Sequence, residues 1–337
     1  MKKFLSIFLA TAIMFSITGC NKKSEEVKDE NVIVEDTVES TEVKNEHYPV
    51  IITTYNYEKE PIEITFEKTP EKVVAVYQNS IETLLALGLE DKIVAAAGLD
   101  HDVKDEYKEA FSKVKYYDNV PTKEEVIGLE ADFILSWYSF FGEKRLGDVG
   151  FWHERNINTY MAQNSGVSKP DSIENEYNDI LNMGKIFNVE DKAKAIVDNM
   201  KAEIEKAKEF GKDREPVKTV ILEIGKENTF RIYGEDSIGG NIATLVGADL
   251  VAKENGRIGA EDLVNLNPEV IFTVYYGDAI DRDTALQSIM ENPALSSISA
   301  IQHNRVYSIM LSEVYASGIR TLDGIISISK GLYPELN

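Results

Sequence analysis

Two α/β lobes, each built on a parallel sheet with helical cover, joined by a single long helix and enclosing a ligand cleft, are the architecture this sequence predicts. Three observations lead there. Continuous apolar runs alternate with helix-period segments from residue 73 onward, the pattern of strands covered on both faces. One uninterrupted helical pattern from Glu190 to about Phe210 separates that alternation into two halves. The chain has 337 residues, 43% of them hydrophobic, which is roughly two domains' worth of core-forming sequence.

The N-terminus reads as an address. Lys2 and Lys3 precede an uncharged, mostly apolar run from Phe4 to Ile17, the layout of a signal peptide over residues 1–19. The run is shorter than the roughly 20 residues a spanning helix needs. Ile17-Thr18-Gly19-Cys20 resembles the bacterial lipobox, with Ile17 where Leu is usual, and Cys20 is the only cysteine in the chain. Lipidation at Cys20 is therefore expected, with the protein held on the extracytoplasmic face of the cell membrane. Residues 20–48 follow as the lipidated N-terminus and a charged tether without Gly or aromatics up to Glu46.

Folded sequence begins near residue 49. Ile51, Thr53 and Tyr55, then Ile62, Ile64 and Phe66, alternate about Glu60-Pro61 and predict a β-hairpin. Val73 to Tyr77 reads as a buried strand, and Ile81, Leu84, Leu85 and Leu87 as a helix stopped by Gly88. Ile93–Ala97, Phe133–Trp137 and Ile157–Met161 continue as strands, with a short helix over Lys123–Leu129. Asp171 with Glu174 predicts a capping box opening a helix to about Phe187. The N-terminal lobe thus spans 49–187, the connecting helix 188–212 and the second lobe 213–337. In the second lobe, Thr219–Ile224, Phe230–Tyr233, Val270–Val274 and Val306–Ile309 read as strands. Ile238–Val246 and Gly318–Gly331 read as helices.

Composition excludes several functions. A formal charge of −22 opposes binding to nucleic acid or an anionic lipid surface. One cysteine precludes an intrachain disulfide and a thiolate metal cluster, and four histidines are scattered without metal-site spacing. No resident cofactor or metal is expected. No P-loop, nucleophile elbow or zincin motif occurs, so no catalytic residue is assigned and the chain is read as a non-enzyme. Gly234 with Ser237-Ile238-Gly239-Gly240-Asn241 is either an anion site at a helix start or a tight turn with close helix packing.

In open parallel sheets, ligands sit beyond the carboxyl ends of the strands. In the first lobe those ends carry Tyr77, Asn79, Ser80, Trp137, Tyr138 and Tyr160. In the second they carry Arg231, Tyr233, Tyr275 and Tyr276, with Arg320 near a helix start. Aromatic faces with a few guanidinium forks suit a bulky planar or anionic ligand, although each ring taken singly is equally at home in core or surface packing.

Four segments resemble the helical-backbone (class III) solute-binding lipoproteins that serve ABC importers of iron–siderophores, haem and cobalamin. They are Thr69-Pro70-Glu71-Lys72-Val73-Val74 with Glu82 to Gly88 behind it, Glu124 to Ile134, Glu261 to Ile271, and Asn292 to Leu295 with Asn304-Arg305-Val306-Tyr307. Ala131 replaces the family's usual Pro in the second segment. The resemblance covers about residues 50–335 and implies two Rossmann-like lobes that close little on their ligand. It also implies a permease-docking carboxylate in each lobe, Glu124 and Glu261, with Glu125 standing in for Glu124 if the alignment slips by one. The implied partners are an ABC permease dimer with its ATPase, for a monomeric receptor. The preferred cargo is a ferric siderophore, with Arg231 and Arg320 neutralising its charge and iron entering only as part of the chelate. Cobalamin or haem remains the alternative, and an extracellular enzyme or a surface adhesin on a similar scaffold the more distant ones.

Overall fold

The computed structural model describes residues 47–277 and 280–336; the expected signal peptide, Cys20 and most of the tether lie outside the described residues. The first lobe contains β1 (Val50–Tyr55), β2 (Pro61–Phe66), β3 (Val73–Val76), α1 (Gln78–Ala86), β4 (Ile93–Ala97) and α2 (Lys108–Phe111). It continues with β5 (Tyr116–Tyr117), α3 (Lys123–Gly128), β6 (Phe133–Ser136), α4 (Val149–His153), β7 (Asn158–Met161) and α5 (Ile173–Ile186). After α6 (Glu190–Gly211) come β8 (Val217–Ile224), β9 (Thr229–Ile232), α7 (Ile238–Leu245), β10 (Ala248–Leu250), β11 (Gly256–Gly259) and α8 (Ala260–Leu266). The chain closes with β12 (Val270–Tyr275), α9 (Arg282–Met290), α10 (Ser299–Gln302), β13 (Val306–Met310), α11 (Leu311–Val314) and α12 (Thr321–Leu332).

The first sheet is parallel throughout, in the order β5-β4-β3-β6-β7. Its strand order reverses between β3 and β6, so the crevice favoured for ligands opens beside Tyr77 and Trp137. Every residue of β3 and β6 is buried, which is why both read as unbroken apolar runs. The second sheet runs β11-β9-β8-β12-β13, with β10 also paired to β8. β12 is parallel to β8 and β13, whereas β9 and β11 form an antiparallel ribbon at one edge. This sheet is therefore mixed, because β8 and β9 are joined by a short turn instead of a crossover helix.

Three local expectations shift. The hairpin forms, yet β1 buries Ile52 and Thr54 and leaves Ile51 62% exposed, the opposite phase to that expected. Its cross-strand pairs Ile52↔Ile64 and Thr54↔Ile62 set that phase, and a one-residue slip turns every side chain over. α5 is capped by Ser172, whose hydroxyl accepts the Asn175 amide at 3.3 Å; the Asp171–Glu174 box is not what opens it. The last helix begins with a 3-10 turn at Gly318–Arg320 before α12.

α6 has 22 residues, a rod of about 33 Å at 1.5 Å per residue. Ala193, Val197, Met200, Ile204 and Ala207 form its single buried stripe, and Lys–Glu pairs such as Lys208–Glu205 (2.8 Å) line the wet face. The stripe packs on α5 and α12, one helix from each lobe. Gly184 permits the α5 contact, since a Cβ there would approach that of Ala193 to 2.5 Å.

The lobes also meet directly. Glu82 on α1 and Arg320 are 1% and 7% exposed, and the guanidinium donates from Nε and Nη2 to the two carboxylate oxygens at 2.6 and 2.7 Å. Glu176 on α5 accepts the Gly318 amide at 2.7 Å, and Lys104 donates to Asp323 at 2.9 Å. His101 Nε2 lies 2.7 Å from the Ser312 hydroxyl. Removing one member of a buried ion pair leaves the other charge desolvated and unmatched. Arg320→Met is therefore expected to lower the unfolding free energy by about 3–5 kcal/mol. Glu82→Leu combined with Arg320→Met should recover most of it, as read from urea denaturation midpoints.

Candidate functional site

Beyond the strand ends of both lobes lies a cavity of about 530 Å3, within the range of small-molecule sites. From the first lobe it takes the turn Asn164-Ser165-Gly166 after β7, then Lys169 and Asp171 before α5. From the second it takes Arg231 on β9 and Tyr233 just after it, Asn255 just before β11 and Arg257 on it, Ser237 at the start of α7, and Tyr315 after α11.

The ribbon concentrates positive charge. Arg231 and Arg257 are direct cross-strand partners on β9 and β11, and Glu223 is the partner of Arg231 on β8. Glu223 takes both neighbours: Arg231 Nη1 donates to its Oε2 at 3.3 Å, and the Tyr233 hydroxyl at 2.8 Å. Glu223 lies on the far side of Arg231 from Arg257 and pairs with Arg231 alone of the two, and like charges directly opposite in a ladder are unfavourable unless an anion joins them. The Arg231 guanidinium also stacks 4.9 Å from the Tyr233 ring and 5.5 Å from that of Tyr315.

An aromatic wall links this ribbon to the first lobe. Tyr315 packs 5.6 Å from Trp137, and Trp137 packs 5.4 Å from Tyr77. Tyr77 caps α1 with a positive φ of 89°, which turns it toward Trp137 and Phe140, 5.8 Å away. Burial raises the Tyr77 and Tyr233 phenols well above their usual range, so both present neutral O–H groups.

Of the residues expected at the site, Arg231 and Tyr233 line the cavity, and Tyr77 and Trp137 stand in the wall beside it. The others lie elsewhere. Arg320 is committed to Glu82 and ties the lobes together, so it is not free to neutralise a ligand. Tyr160 is core: its hydroxyl donates to Asp179 at 2.8 Å. Asn79 and Ser80 are buried beneath Gly318 and line a small inner pocket of about 20 Å3 with Tyr160 and Glu176. Tyr138 stacks on Tyr57 at 4.8 Å, beside the hairpin loop. Tyr275 and Tyr276 end β12 away from the cavity lining, where Tyr276 bridges to Ile280.

The glycine-rich turn is shaped by close packing. A Cβ on Gly240 would meet the Gly234 carbonyl at 1.8 Å, and Ser237 caps α7 by accepting the Gly240 amide at 3.0 Å. Lys169, Asp171, Arg257 and Tyr315 were not anticipated as site residues. Tyr315 follows β13 by one short helix, where the strand-end rule extended to that strand leads, and Arg257 is marked by its register with Arg231.

Asp171 is half-buried, and desolvation pushes its carboxyl up to about 6, with Lys169 opposing and Asp236 adding to the shift. On α5, burial lifts Asp179 to about 8, despite hydrogen bonds from Tyr160 and Gln163. Around the two glutamates expected to meet a permease, α3 and α8 are built alike. Glu125 accepts the Thr122 amide at 2.7 Å, and Asp262 accepts the Gly259 amide at 3.0 Å. Glu124 and Glu261, one residue earlier in each helix, are exposed and make no hydrogen bond or ion pair among the described residues.

Two facing α/β lobes, a connecting helix and a cation-lined cavity between the strand ends define a solute-binding protein. The family model for periplasmic binding proteins matches residues 73–310, and the chain belongs to that family. It is a substrate-binding protein of the ABC-importer class. It is 28% identical to an uncharacterized ABC transporter substrate-binding lipoprotein, YvrC, of Bacillus subtilis, over 87% of this chain and 88% of that one. It is 24% identical to the petrobactin-binding protein YclQ of the same organism, over 94% of each chain. A crystal structure of a periplasmic binding protein from Veillonella parvula superposes with a TM-score of 0.79 at 35% identity, covering 86% of this chain and 92% of that one.

The raised carboxyl of Asp171 makes a signed prediction. Folding raises its pKa, so the folded state holds a proton that the unfolded chain releases near pH 4. Its contribution to stability is complete below about pH 4 and is lost as pH rises through about 6. Asp171→Asn should match the wild type in stability at pH 4 and exceed it increasingly up to about pH 7, followed by thermal melts across that range.

Proposed function

We propose that this chain captures a ferric siderophore outside the cell and delivers it to an ABC permease, tethered meanwhile to the membrane through a lipidated Cys20. One observation carries the reading: on a chain of net charge −22, the interlobe cavity sets two arginines side by side on adjacent strands, Arg231 paired with Glu223 and Arg257 with no ion-pair partner among the described residues. A chelate with catecholate or carboxylate oxygens supplies the missing anions, and the Tyr315–Trp137–Tyr77 wall offers its rings flat contact. The petrobactin-binding relative points in the same direction. Among the described residues the cavity lining contains no His or Met, and its tyrosines are engaged, Tyr233 donating to Glu223 and Tyr315 packing against the Arg231 guanidinium, which favours a pre-formed chelate over haem held by an axial ligand. Arg231, Tyr233, Arg257 and Tyr315 form the core of the ligand set in this reading, with Tyr77 and Trp137 behind them.

Glu124 and Glu261 are the docking carboxylates of this proposal. Glu125 is spent on capping α3, which supports Glu124 over its neighbour in this reading. The equivalent sites on α3 and α8 suit a permease dimer that offers a basic group on each subunit. The receptor works as a monomer and turns over no substrate.

Two experiments test this. Tryptophan fluorescence titrated with ferric catecholates, ferric hydroxamates, haem and cobalamin should show quenching by a ferric chelate at submicromolar concentration. Arg257→Ala should weaken that binding about tenfold or more, as for the loss of a hydrogen-bonded charge. Quenching by haem or cobalamin alone would overturn the cargo assignment. Separately, Glu124→Ala with Glu261→Ala should leave chelate affinity unchanged and abolish iron-chelate uptake by cells.

A further inference from the structure

Asp171 stands out among the residues around the cavity. It is the carboxylate in a lining otherwise supplied with Lys169, Arg231 and Arg257. Its Oδ1 is fully buried and has no hydrogen-bond partner, and among the described residues it forms no ion pair with any of those three cations. The neighbouring Ser172 has taken the capping of α5, so the fold does not use Asp171 to satisfy the helix. A buried acceptor without a donor is unfavourable and calls for an explanation, and a carboxylate on a cavity wall is placed to find one in a ligand. The desolvated carboxyl, pushed up to about 6 against the opposing pull of Lys169, shows the same imbalance as charge.

We infer that Asp171 determines specificity by receiving a protonated amine carried by the ligand, so that the cargo is a zwitterionic ferric chelate. Its anionic oxygens face the Arg231–Arg257 ribbon, and its ammonium reaches across the cavity to the opposite lobe at Asp171. The two contacts come from different lobes, so a ligand bearing both charges is fixed in one orientation and one bearing only the anion is not. This inference rests on the ferric-chelate reading above.

The test uses two matched pairs of probes: a ferric bis-catecholamide with a secondary amine in its spacer and the same complex with that amine acetylated, and a ferric trihydroxamate ending in a primary amine with its acetylated form. Affinities are measured by tryptophan quenching at pH 7.5 for the wild type, Asp171→Asn and Asp171→Glu. The wild type is expected to prefer the free amine in the pair it binds by about tenfold, as for a charge-assisted hydrogen bond. Asp171→Asn should erase the preference while binding the acetylated member as before, and Asp171→Glu should restore part of it. Equal affinities for amine and acetyl forms, or a preference that survives in Asp171→Asn, overturn this inference and leave the ferric-chelate reading intact. No binding of any of the four probes by the wild type overturns both. Loss of affinity for both members of a pair in Asp171→Asn assigns the residue a merely structural role and also overturns the inference.

Discussion

The constraint on which the rest depends is the buried junction of α1 with the 3-10 turn before α12. Glu82 and Arg320 meet there across 238 residues of chain, both shielded from water. Gly318, with a φ of 52°, sits where a Cβ would come within 3.0 Å of Asn79 and Thr83, and it donates its amide to Glu176. Pulling the lobes apart exposes a matched pair of desolvated charges and an amide acceptor at once, whereas small adjustments leave all of them in place. Together with α6 packed on a helix from each lobe, this favours a cavity largely formed before any ligand arrives.

A pre-formed cavity shifts the origin of selectivity to its walls. A binder that closes widely can adapt to its ligand and lose affinity to the ordering that closure requires; a fixed one avoids that loss and must match charge and shape in advance. The mixed edge of the second sheet contributes here. An antiparallel ribbon brings Arg231 and Arg257 into register on one face, an arrangement that a purely parallel edge with long crossovers does not provide so compactly.

What the sequence disclosed, and what it hid, follows from the range of each interaction. Strands such as Val73–Val76 and Phe133–Ser136 were legible because burial on both faces leaves a continuous apolar run. The phase of β1 was not, since Val50-Ile51-Ile52-Thr53-Thr54-Tyr55 offers apolar or β-branched residues on either face and the partner strand decides. Asp171 and Ser172 are both good caps, and only the backbone geometry at Ser172 distinguishes them. Arg320 looked available for a ligand because its partner lies in the other lobe, beyond the reach of any local pattern. Tyr315 sits in irregular chain between a four-residue helix and a 3-10 turn, where no periodicity marks it.

The same long-range logic explains how an acidic protein offers a cationic cavity. Exposed carboxylates on α6 and the outer helices are paired locally with lysines or screened by salt, so their field at the cavity is weak beyond about 8–10 Å. Behind the cavity lining, Glu223 is the carboxylate on the ribbon side, and it is already divided between Arg231 and Tyr233. Arg257 forms no ion pair among the described residues and is open to whatever enters, and Asp171, on the facing lobe, is desolvated and pairs with none of the cations of the lining. The cavity is thus polarised from one lobe to the other, and an entering ligand is sorted by the order of its charges as well as by their sum.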